Sequence, residues 1–134
     1  MTKLEIIEGI GSTYAQKLRE AGIGSIEALL EEGATPEGRK ELQESTGIGA
    51  EFILDWVNRA DLMRIRGVGE EYSDLLEWAG VDTVVELAQR NPENLYQKVL
   101  GVNAERKLVR RPPSSGMVED WVRQAKALPR VVSY

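Results

Sequence analysis

Two stretches hold residue types that could meet an anionic ligand. Gly9-Ile10-Gly11 is followed by Ser12, Thr13 and, a turn later, Lys17, while Thr46-Gly47-Ile48-Gly49 offers a second run of the same kind. A Gly-apolar-Gly turn that opens a helix gathers unpaired backbone N–H groups and the positive end of the helix dipole at one point, where a phosphate can bind. Ser12, Thr13 and Thr46 add hydroxyl donors. A third run, Gly67-Val68-Gly69, has the turn but is followed by Glu70 and Glu71, which suit the dipole and repel an anion. Arg106, Lys107, Arg110 and Arg111 cluster before Pro112-Pro113 and could contact phosphate or an acidic partner. Each feature has a plainer alternative. The turns could be tight interhelical connections and nothing more, and the basic cluster a solvated loop balancing an acidic N-terminal half.

Other chemistries lack their parts. The chain has no cysteine and no histidine, which removes disulfides, thiolate chemistry and the commonest general base and metal ligand. The pairs Glu31-Glu32 and Glu70-Glu71 are adjacent on helices and so do not face each other. No third glycine follows Gly9 and Gly11 at the dinucleotide-binding spacing, and no strand precedes them. Nothing assembles a nucleophile, a base and an orienting group, so a noncatalytic protein is expected. Trp56, Trp78 and Trp121 fall among apolar helix positions and are expected in the core, not as base-stacking platforms.

Charge narrows the partners. A hydrophobic share of 42% with 29% charged residues is that of a soluble globular chain, and the net charge of −5 argues against a general polyanion binder. The balance is uneven: residues 1–55 carry −6, residues 56–99 carry −3 and residues 100–134 carry +4. No apolar run approaches the roughly 18–20 residues that span a bilayer. The start, Met1-Thr2-Lys3-Leu4-Glu5, reaches an acidic residue too soon for a signal peptide. A cytoplasmic location with no membrane partner is the expectation.

The elements that must position these residues form an internal repeat. Gly9, Gly11 and Gly22 recur as Gly67, Gly69 and Gly80 at a constant offset of 58. Local signals predict helices over 2–7, 12–21, Ser25 to near Gly33, Pro36 to Glu44, Ala50 towards Met63, and 70–79. Further helices follow Thr83 and Asn91-Pro92, and the last carries Asp120-Trp121-Val122. Asn91-Pro92 stands 56 residues after Thr35-Pro36, but Asp120-Trp121-Val122 stands 65 after Asp55-Trp56-Val57, so about nine residues are inserted between. They are expected as a basic loop over about 101–113 that replaces the fourth turn. The extended end, Leu128 to Tyr134, could pack across the body or add to a partner.

Gly9-Ile10-Gly11 with Ala15 and Leu18, and Gly67-Val68-Gly69 with Ser73 and Leu76, resemble the helix-hairpin-helix superfamily; Gly47-Ile48-Gly49 with Ile53 and Leu54 is a looser match. The resemblance implies an all-α protein of two pseudo-repeated five-helix, SAM-like tandem domains packed together. Residues 1–60 would form the first domain; residues 61–134 would form the second, with the basic loop and the tail. The whole chain also resembles a bacterial family known only as a domain of unknown function. The superfamily implies sequence-independent DNA binding through hairpin amides and, in some members, a monovalent cation on hairpin carbonyls. Here Gly9, Ile10, Gly11, Ser12, Thr13 and Lys17, then Thr46, Gly47, Ile48 and Gly49, would carry it, with Arg106, Lys107, Arg110 and Arg111 as a further surface. The rival expectation is a protein–protein adaptor that keeps the fold without the DNA surface.

Overall fold

The structure, a computed structural model, describes residues 2–134. Among them it is all helical. A 3-10 turn at Leu4–Ile6 precedes α1 (Ser12–Glu20), α2 (Ile26–Gly33), α3 (Pro36–Thr46), α4 (Ala50–Leu62), α5 (Glu70–Trp78), α6 (Val84–Ala88), α7 (Pro92–Arg106) and α8 (Ser115–Ala127). Side-chain oxygens start five of these helices. Ser25, Thr35, Thr83, Asn91 and Ser114 each accept the N–H three residues on, and Pro36 and Pro92 occupy the first turn of α3 and α7.

The chain divides into two compact units, one running to Asp61 and taking in Val131–Tyr134, the other Leu62–Arg130. The break falls in the last turn of α4. In the first unit Leu4, Ile7, Ile10, Leu18, Leu29 and Ile53 are buried, with Trp56 at 1% exposure. In the second, Ile65, Val68, Leu75, Leu76, Leu87 and Val99 are buried together with Trp121. Several backbone bonds recur at the offset of 58. Ile23 N–H reaches Leu18 O and Val81 N–H reaches Leu76 O, both at 2.9 Å, ending α1 and α5 in the same glycine-centred cap.

Three expectations change. The helix predicted over 2–7 is a single 3-10 turn flanked by extended Lys3 and Ile7, because burying Leu4 and Ile7 needs only one tight turn before Gly9. The loop predicted over about 101–113 is half helix. α7 has 15 residues against the 11 of α3, so four of the nine extra residues lengthen the helix and five the connection. Gly101 alone does not stop α7; Lys107 does, taking φ 53 with its N–H on Asn103 O at 2.8 Å. Residues 131–134, placed with the second half by the sequence, belong to the first unit. There Ser133 N–H donates to Ala34 O at 2.8 Å, and Arg39 donates to both Gly33 O and Ser133 O. Tyr134 OH bonds Asn58 at 2.9 Å, and Val132 is buried.

Candidate functional site

The first Gly-apolar-Gly turn closes through Ile10 N–H to Ile7 O at 3.1 Å, with Ile10 buried beneath it. Gly9 adopts φ 94, and a Cβ there would stand 3.3 Å from Nε1 of the buried Trp56. The left-handed angle and the indole together disfavour a side chain. Gly11 is the extended N-cap of α1 and has no side chain to offer, so α1 begins without a side-chain cap; its carbonyl accepts Ala15 N–H at 3.0 Å. The space where a Gly11 Cβ would lie is open, and Ser12, Thr13 and Lys17 are exposed. This helix start can accept an anion from solvent.

The turn at 46–49 is more self-contained. Thr46 Oγ1 donates to Leu42 O at 2.5 Å and accepts Ile48 N–H at 3.1 Å, so its hydroxyl is already engaged. The Glu51 carboxylate leans towards Gly49, and Gly47 takes the left-handed C-cap of α3. Tyr14 and Phe52, each third in its helix, bring the first turns of α1 and α4 together with ring centroids 6.2 Å apart. Phe52 is 47% exposed.

The turn at 67–69 repeats the first in its backbone, with Gly67 at φ 96, Trp121 Nε1 3.2 Å from a Cβ there, and an open, uncapped start to α5. Its charge is opposite. Glu70 and Glu71 are exposed in that first turn. The amide of Gln124 grips the Arg66 backbone, accepting its N–H at 2.8 Å and donating to its carbonyl at 3.0 Å. Asp120 holds that amide in turn, and the bonds from Gln124 and Arg123 keep its carboxyl below the usual range.

Of the basic residues, Arg106 ends α7 and lays its guanidinium over the Trp78 ring, 3.7 Å from the centroid. Trp78 is therefore not core: it is 48% exposed, whereas Trp56 and Trp121 are buried as expected. Its place at the end of α5, directly before the capping Ala79-Gly80, leaves the ring outside the core. Lys107, Arg110 and Arg111 are exposed on a pinned segment. The buried Asn103 amide donates to Val109 O at 3.1 Å and accepts Val109 N–H at 2.9 Å, while Tyr72 OH donates to Arg111 O at 3.0 Å. Lys107 and Arg110 share a recess of about 510 Å³ with Glu71, so the acidic turn and the basic segment face one hollow. At the offset of 65, Pro113 stands where Ile48 does and is likewise buried, and Ser114 replaces Gly49 as a capping residue. That substitution is how the fourth turn is lost.

Over residues 8–128 the chain matches the family described as Domain of unknown function (DUF4332). The chain belongs to the DUF4332 family. The match runs from the lip of the first turn to just past α8, and so takes in the Gly-apolar-Gly turns of both units. No solved structure matches the chain. Among the described residues of this family member, no helix is long and apolar enough to cross a membrane.

Sequence reasoning missed Trp78, Phe52 and Asn103. For Trp78 a signal existed. At the offset of 58 it corresponds to Glu20, which is exposed. No comparable signal marks Asn103, since it lies in the inserted stretch.

Proposed function

We propose that this is a noncatalytic helix-hairpin-helix module that holds nucleic-acid phosphate, weakly and without sequence preference, on the backbone amides at the start of α1. The observation that carries the reading is the uncapped α1 N-terminus, with open space at Gly11 and exposed Ser12 and Thr13 beside it. A phosphate there would receive backbone and hydroxyl donors and meet the positive end of the dipole. Lys17 adds a charge one turn on. Binding is weak because Glu8 and the wider acidic surface oppose it, and it is blind to sequence because only phosphate is touched.

The test is Ser12→Glu with Thr13→Glu. Acidic residues suit the first turn of a helix, so helicity should hold while duplex-DNA affinity falls several-fold. Unchanged affinity would remove the α1 turn as the site. The second reading, a protein–protein adaptor, is favoured by one observation: the equivalent open helix start of α5 carries Glu70 and Glu71, which no phosphate would approach. In that reading the hollow shared by Glu71, Lys107 and Arg110 meets a partner of mixed charge.

A further inference from the structure

The second unit carries its own aromatic and cationic surface. We infer that Trp78, Arg106, Lys107 and Arg110 form a binding surface for unpaired nucleotides of a single strand, with a base on the indole and phosphates on the cations. The inference stands apart from the α1 reading. A half-exposed tryptophan is by itself ordinary. Here the Arg106 guanidinium lies 3.7 Å from its ring centroid, and Arg90 donates to the carbonyl of the neighbouring Ala79 at 3.4 Å. The indole thus carries one arginine on its ring, and that arginine opens the cationic run Arg106, Lys107 and Arg110 of the chain's basic quarter.

The backbone that carries these cations is also held in place, unlike that of a solvated loop. Asn103 makes two bonds to Val109, Lys107 N–H bonds Asn103 O, and Tyr72 holds the Arg111 carbonyl. A backbone already fixed in place loses less freedom on binding. Acidic groups sit nearby, Glu71 in the recess and Glu105 beside Arg106, and they limit affinity for a duplex with its dense charge. They do not impair stacking, which every base can supply. An acidic peptide could use the cations but would have no use for the exposed ring, so the single strand is the better fit.

An oligothymidylate titrated into the full chain tests this. Trp56 and Trp121 are each 1% exposed, so quenching by a stacked base reports Trp78. Quenching is expected, with Trp78→Ala removing it and weakening single-strand binding about tenfold. Trp78→Phe should restore most of the affinity, and Arg106→Ala should weaken binding and flatten its salt dependence. Circular dichroism of each variant should match the parent, since the ring lies outside the core. Binding without quenching, or unchanged affinity in Trp78→Ala, would overturn the assignment. So would polyglutamate binding as tightly as the oligonucleotide, which would make the surface one for acidic proteins. Ser12→Glu with Thr13→Glu should leave the quenching intact, so the two sites can fail separately.

Discussion

Asn103→Ala isolates what pins the basic segment. Asn103 and Val109 are 8% and 6% exposed, and the two bonds between them, at 3.1 and 2.9 Å, satisfy both the N–H and the C=O of Val109. Removing the amide strands both groups. A buried group left unpaired costs about 1–3 kcal/mol. Both residues line the recess, so water can reach the stranded atoms and the lower end applies to each. The sum is about 2 kcal/mol. In urea unfolding followed by circular dichroism, with a slope of about 1–3 kcal/mol per molar, the midpoint should fall by about 1 M at unchanged slope. Asn103→Asp keeps an acceptor for Val109 N–H but sets a buried carboxylate oxygen against the Val109 carbonyl, and at pH 7 should lose at least as much as Asn103→Ala. A shift below about 0.2 M for Asn103→Ala would refute the claim that this amide holds the segment.

Gly9→Ala and Gly67→Ala combine a left-handed φ with a close buried indole and should each cost about 1–3 kcal/mol. Gly22→Ala, at φ 91 with nothing near, should cost about 1 kcal/mol, and chemical denaturation of the three orders them. The Glu32 carboxyl is raised above its usual value, first by its hydrogen bond to Glu41 and then by desolvation and the charges of Glu41 and Glu31. A raised carboxyl favours the fold in acid and loses that contribution as pH rises through its folded value, so Glu41→Gln should raise the melting temperature slightly at pH 7. At pH 4 the gain should shrink, and an equal gain at both would contradict the pairing. Glu70→Lys with Glu71→Lys should tighten DNA binding if the chain is a DNA binder. A loss of partner capture or self-association in sedimentation, with DNA affinity unchanged, would instead support the adaptor.

Helix order was legible because local chemistry sets it. Ser25, Thr35, Thr83 and Asn91 act as caps within three residues of themselves, and Gly22 and Gly80 close α1 and α5 through neighbouring carbonyls. What was not legible depends on partners distant in sequence. Thr46 looked like a free donor until the fold turned its hydroxyl to Leu42 O. The tail showed an extended character, but its seat on Ala34 and Arg39 lies about a hundred residues back along the chain. α7 outran its predicted end because Asn103 secures the following segment from the buried side, and no local breaker announces that. Trp78 reads as core because it is an aromatic at an apolar-looking helix position, whereas the exposed Glu20, 58 residues earlier, marks that position as surface.

The most direct measurement is an amide-resolved NMR titration of the full chain with a short duplex DNA. The account predicts salt-sensitive shifts concentrated at Gly11, Ser12, Thr13 and Tyr14, with the corresponding amides at Gly69, Glu70 and Glu71 still. Shifts absent from the start of α1, or stronger at the start of α5, would contradict it.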